Sequence, residues 1–83
     1  MKIIGTRMKY VGTAHRWAMG QEVLVIAVHR GGDDGQVLQD DAEIGELRSD
    51  DVVEWAPFIR EADGTERPSW VTSDAKPDEL TGL

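Results

Sequence analysis

The side chains of this 83-residue chain best suited to chemistry are two histidines, His15 and His29, and sixteen acidic residues, several of them clustered. A histidine–carboxylate metal set needs its ligands to converge, and His15 and His29 lie in different segments with no spacing that forces them together. The run Asp33-Asp34-Gly35, followed by Asp40, Asp41 and Glu43, has the composition of a calcium loop. Setting Gly35 at the loop glycine places Arg30 at the first ligand position and Gly32 at the third, so the carboxylates needed there are missing. Asp50-Asp51 and Glu54 raise the question of paired-carboxylate hydrolysis. That reaction needs two carboxyl groups facing each other across a sheltered cleft, whereas adjacent acids in a loop diverge into water. Ser49, Ser69 and Ser73 have no histidine near them in sequence, and there is no nucleophile elbow, phosphate loop, dinucleotide fingerprint or H-E-x-x-H helix. The expectation is a protein that is not an enzyme and uses neither a metal nor a cofactor.

The aromatic residues are better placed to act. Trp17 lies in Thr13-Ala14-His15-Arg16-Trp17-Ala18-Met19-Gly20, a connection with no clear period. A tryptophan between Arg16 and Met19 has the composition of an interface anchor, and it equally suits packing of the loop onto the domain. Trp55 and Trp70 fall on the two arms of an expected hairpin, where cross-strand aromatic pairing accounts for both. Arg16, Trp17, Met19, Trp55 and Trp70 are the candidate partner-binding residues.

Charge narrows the class of partner. Residues 1–31 carry about +4, with Lys2, Arg7, Lys9, Arg16 and Arg30 against Glu22, while residues 32–83 carry about −11. With a net charge of −7, phosphate repulsion opposes general nucleic-acid binding. Asp40, Asp41, Glu43, Asp50 and Asp51 form a candidate acidic surface that can imitate a phosphate row and occupy a nucleic-acid-binding protein. The two oppositely charged sections also read as self-complementary faces of one domain.

The elements that must position these residues are mostly strands. Ile4, Thr6, Met8 and Tyr10 fall on one side of an extended segment, with Arg7 and Lys9 on the other. Val23 to Val28 is an unbroken apolar run rich in β-branched residues, the pattern of a central strand. The cluster Gly31-Gly32-Asp33-Asp34-Gly35 must turn the chain. A short helical turn is expected near residues 40–47, capped by Asp40 or Asp41, with Ile44 and Leu47 on one face. Residues 52–72 read as a hairpin about Asp63-Gly64, with Pro57 marking an edge or a bulge. Pro77 starts a single turn in a polar tail, residues 76–83, that Leu80 alone can pin down.

Short strands with glycine-bearing turns favour a mostly β domain over residues 1–75, a small and strongly bent antiparallel barrel or roll of SH3-like architecture. A chain of this length builds one modest core. It has no cysteine, no signal-peptide core and no apolar run long enough for a bilayer, which points to a cytoplasmic protein that does not enter membranes. The leading functional expectation is a protein-interaction module that binds another protein or a second copy of itself. An acidic mimic of nucleic acid stands second and small-ligand binding third.

Overall fold

The computed structural model describes residues 3–31, 36–39 and 46–82. Among these, seven strands form one antiparallel sheet: β1 (Arg7–Tyr10), β2 (Glu22–His29), β3 (Val37–Gln39), β4 (Val52–Arg60), β5 (Glu66–Pro68), β6 (Ser73–Ala75) and β7 (Leu80–Thr81). Two single 3₁₀ turns, Arg16–Ala18 and Pro77–Glu79, interrupt the connections. The expected helical turn at 40–47 lies mostly outside the described residues, and Glu46 and Leu47, which are described, are not helical.

The long pair β2–β4 is the spine. One edge of β2 carries β1 and then β3, and the far edge of β4 carries β6 and then β5. The unbroken apolar run of β2 is thus paired on both edges, as its composition demands. Its side chains keep one core face through a bulge: Val25 stands opposite Trp55, yet Ala27 stands opposite Glu54 and Val28 opposite Val53. The extra residue, Ile26, shifts the alternation by one, so that Val23, Val25 and Val28 all point into the same core. With them pack Ile3, Ile4, Tyr10, Ala18, Val53, Trp55, Ala75 and Leu80.

Pro57 sits within β4 at no cost to the ladder. Its carbonyl accepts from the Ser69 N–H at 2.8 Å, on the edge where β4 changes partner from β6 to β5. In an antiparallel strand the N and O of one residue face the same edge, so the absent N–H falls in that gap.

The end of the chain shows why the sheet cannot be flat. β6 and β7 lie at opposite ends of the path β6-β4-β2-β1-β7, four spacings or about 19 Å apart if the sheet were planar. Only Lys76–Glu79 join them, and with three residues in a 3₁₀ turn the reach from Ala75 to Leu80 is about 13 Å. The sheet therefore curls until its edges approach, although it does not close by hydrogen bonds. The polar segment expected to be pinned by Leu80 alone carries β7, with Leu80 opposite Tyr10, Thr81 opposite Lys9, and Leu80 buried in the core.

At the opposite end, Asp51 holds the entry to β4. Its side chain is fully buried and accepts from Arg30 Nη1 at 2.7 Å, the Arg48 N–H at 2.7 Å and the Gly31 N–H at 3.1 Å. Burial alone pushes the carboxyl up, but the Arg48 and Gly31 hydrogen bonds, joined by the charges of Arg30 and Arg48, outweigh it and hold the group below its ordinary 3.8. Arg30 in turn donates to the Glu46 carbonyl at 3.0 Å, so this one buried acid ties the exits of β2 and the approach to β4 together.

Two outcomes follow from these contacts. Leu80→Ala is expected to lower unfolding stability by about 2–3 kcal/mol in urea titration, where a loose tail would give no change. Asp51→Asn is expected to cost about 3 kcal/mol near neutral pH, because it leaves the largely covered Arg30 side chain without its partner charge. The folded-state pKa lies below the unfolded one, so the advantage of wild type is present above about pH 4 and is lost as the pH falls through the folded value. Urea midpoints of the two proteins measured down a pH series should converge at the acid end.

Candidate functional site

The connection between β1 and β2, residues 11–21, folds over the core at Trp55 and presents the candidate site. Its ends are zipped to Tyr10: the Tyr10 N–H donates to the Gln21 carbonyl at 3.0 Å, and the Tyr10 carbonyl accepts from the Gly20 N–H at 2.8 Å. Gly20 has φ 78°, a left-handed conformation that a side chain would strain. Between these ends the 3₁₀ turn Arg16–Ala18 buries Ala18 completely. Three residues per turn set consecutive side chains about 120° apart, so anchoring Ala18 inward directs Trp17 and Met19 outward. Trp17 is 56% exposed and Met19 50%, with Val11 also open to solvent.

Trp17 is nonetheless held in place. Its ring lies 5.8 Å from that of Trp55, tilted by 43°, and 6.1 Å from His15 in an edge-on arrangement. His15 itself stands edge-on to Trp55 at 5.6 Å and lies 5.9 Å from Tyr10, which packs on Trp55 at 5.0 Å. Four rings thus form one cluster, with Tyr10 and Trp55 fully buried and Trp17 at its outer end. Aromatic pairs at these separations contribute about 0.5–1.5 kcal/mol each beyond the area they cover.

The Tyr10 hydroxyl completes the support. It donates to Glu79 Oε2 at 3.2 Å and accepts from the His15 N–H at 3.2 Å. Glu79 Oε1 accepts from the Lys76 N–H at 2.9 Å, which connects the cluster to the turn before β7. Gly12 lies so close to the Glu79 carboxylate and the Tyr10 hydroxyl that a Cβ there would collide with both. Beneath Trp17, the Trp55 indole N–H is the one buried side-chain donor without a partner among the described residues. Such a group costs about 1–3 kcal/mol relative to a satisfied one.

The structure brings Arg16, Trp17, Met19 and Trp55 into this one region and leaves Trp70 outside it. The hairpin about Asp63-Gly64 does form, pairing Phe58 with Pro68, Ile59 with Arg67 and Arg60 with Glu66, and Asp63 caps the turn by accepting from the Thr65 N–H at 3.0 Å. Past Pro68 the regular ladder stops: four residues, Ser69 to Thr72, stand opposite two, Ala56 and Pro57. The Ser69 hydroxyl accepts from the Val71 N–H at 3.1 Å and turns the chain out of the sheet. Trp55 consequently faces Ser73, and the expected Trp55–Trp70 pair is not made. Trp70 is 90% exposed and Val71 74%.

Of the acidic surface, Asp40, Asp41 and Glu43 lie outside the described residues, Asp50 is exposed, and Asp51 is turned inward as described above. The histidines go to opposite faces: His15 joins the aromatic cluster, while His29 Nε2 lies 2.8 Å from Glu54 Oε1 on the other side of the sheet. No three His, Asp or Glu side chains converge among the described residues. No described helix is long and apolar enough to cross a membrane.

Sequence reasoning missed the supporting roles of Tyr10, His15 and Glu79. The signal for Tyr10 was present, a tyrosine at the inward position of β1, but Glu79 is remote in sequence and reaches it only because the sheet curls. No protein-family model matches the chain, and neither a curated protein nor a solved structure does.

Tyr10→Phe keeps the ring and removes the hydroxyl, leaving the His15 N–H without its acceptor. It is expected to cost about 1–2 kcal/mol in urea unfolding. Backbone hydrogen exchange should quicken at His15, whereas unchanged protection there would show that the hydroxyl does not hold the connection.

Proposed function

We propose that this protein is a non-enzymatic interaction module, an SH3-like roll that docks onto another protein or a second copy of itself through the β1–β2 connection. The observation that carries the reading is Trp17: more than half exposed, yet held against Trp55 and His15. A large amphipathic side chain already fixed in position loses little rotamer freedom on binding, the quality that makes tryptophan a frequent energetic centre of interfaces. Met19 and Val11, on the same connection, are further exposed apolar side chains, and Arg16, exposed, is the charged residue next to Trp17 in sequence. The SH3-like description rests on the neighbouring antiparallel strands β2, β4 and β5 and on a last strand that returns to the first after a single 3₁₀ turn. The acidic-mimic reading draws less support, since Asp51 is committed to Arg30 and two backbone N–H groups.

Trp17→Ala is the deciding variant. Immobilised wild-type protein should retain partners that the variant loses, with each captured protein purified and its affinity remeasured. The expected loss is about thirtyfold or more, as for a central tryptophan worth at least 2 kcal/mol. Equal affinity of both baits for every partner would overturn the reading.

A further inference from the structure

The last strand is held to the domain by few contacts, and most of them pass through two residues. From Lys76 to Gly82 only Leu80 is buried in the core, while Lys76, Asp78, Thr81 and Gly82 are exposed. Glu79 makes the polar contacts. Its carbonyl accepts from the Val11 N–H at 2.7 Å, its Oε2 from the Tyr10 hydroxyl at 3.2 Å, and its Oε1 from the Lys76 N–H at 2.9 Å. Beyond these two residues the strand adds the pairing of Thr81 with Lys9.

The same contacts hold the first arm of the β1–β2 connection. Val11 opens that connection and bonds to Glu79, and Gly12 packs on the Glu79 carboxylate with no space for a Cβ. The His15 N–H donates to the Tyr10 hydroxyl, which itself donates to Glu79. The second arm is tied differently, since Gly20 and Gln21 bond to the backbone of Tyr10 and not to the chain end. His15 and Trp17, with rings 6.1 Å apart, thus sit between one arm fixed by the sheet and one fixed by the chain end.

We infer that residues 76–82 form a strap that latches the Trp17 connection. Docked on β1, the strap holds the connection closed over Trp55; peeled from β1, it frees the connection while the β2–β4 spine stays folded. The balance of contacts sets this order. Peeling exposes one core leucine and breaks a handful of hydrogen bonds, whereas unfolding the spine exposes Val23, Val25, Val28, Val53 and Trp55 together, so the strap opens at the lower free energy. Ala75, buried and paired with Val53, is the fixed end from which the strap swings, and Lys76 before Pro77 is already extended. Linkage makes the coupling reciprocal, so whatever steadies Trp17 in its held position also draws the strap onto β1. Its consequence for partner binding rests on the docking role proposed for Trp17; the coupling itself is a property of the free protein.

Native-state hydrogen exchange of the free protein in low urea tests the latch. The Val11 and His15 N–H groups should share one degree of protection, below that of the β2–β4 amides, and one shallow dependence on urea, since the opening strap exposes little surface. Leu80→Val, which trims the one core residue of the strap and keeps the chain folded, should quicken both by a common factor of about threefold or more. Trp17→Ala should in turn quicken Val11, whose acceptor lies on the strap, by about threefold. The latch is overturned if His15 keeps its protection in Leu80→Val, if Val11 keeps its protection in Trp17→Ala, or if both amides show the steep urea dependence of global unfolding. Its failure leaves the docking role to be decided by partner capture with Trp17→Ala, and failure of that capture test leaves the exchange result standing.

Discussion

The buried hydroxyl of Tyr10 is the contact on which the displayed surface depends. One side chain joins three remote parts of the chain: β1 through its own backbone, the β1–β2 connection through the His15 N–H, and the turn before β7 through Glu79. Its ring is meanwhile the floor on which Trp55 packs. A phenol in a fully buried position must satisfy its hydroxyl, and here the partners that satisfy it are those that hold the connection closed. Gly12 is the corollary, since any larger residue would occupy the space that Glu79 and the hydroxyl share.

The second buried polar centre works at the opposite end of the spine. Asp51 satisfies two backbone N–H groups and the Arg30 guanidinium at once, and thereby closes the region between β2 and β4. A charge placed out of water is tolerated only when its hydrogen bonds are nearly complete, which is the case for this carboxylate. Between these two centres the apolar core needs only to supply area. The domain achieves with a tyrosine network and one ion pair what a chain without cysteine cannot obtain from disulfides.

The candidate site follows from this frame. Burial of Ala18 and the zipped ends at Tyr10 leave Trp17 no direction but outward, against the edge of the buried rings. The indole N–H of Trp55, without a partner among the described residues, shows that the cluster is packed for shape and not for complete polar satisfaction. Trp70 reaches the surface by a different route, since the extra residues between β5 and β6 leave it no place in the ladder. Two tryptophans of the same chain are thus displayed for unrelated local reasons.

Much of the strand content was legible from local pattern. The strand at Arg7–Tyr10, the unbroken run Val23–Val28, the turn at Asp63-Gly64 and the start of a turn at Pro77 each reflect forces acting within a few residues, so the sequence alone determined them. The alternation does not extend back to Ile4, because Ile4 and Gly5 form a turn that buries both Ile3 and Ile4. The loop composition around Trp17 left open both packing onto the domain and contact with a partner, and the structure sets its ring against Trp55 and His15 while leaving it 56% exposed. What only the tertiary structure decided depends on contacts between distant segments. The bulge at Ile26 arises because β2 must match β4, Asp51 is buried because Arg30 arrives beside it, and Leu80 becomes core because the curled sheet brings the chain end back to β1. Trp70 was expected beside Trp55 and lies outside because a register is a property of two strands together. Neither strand's sequence contains the two-residue excess that separates β5 from β6.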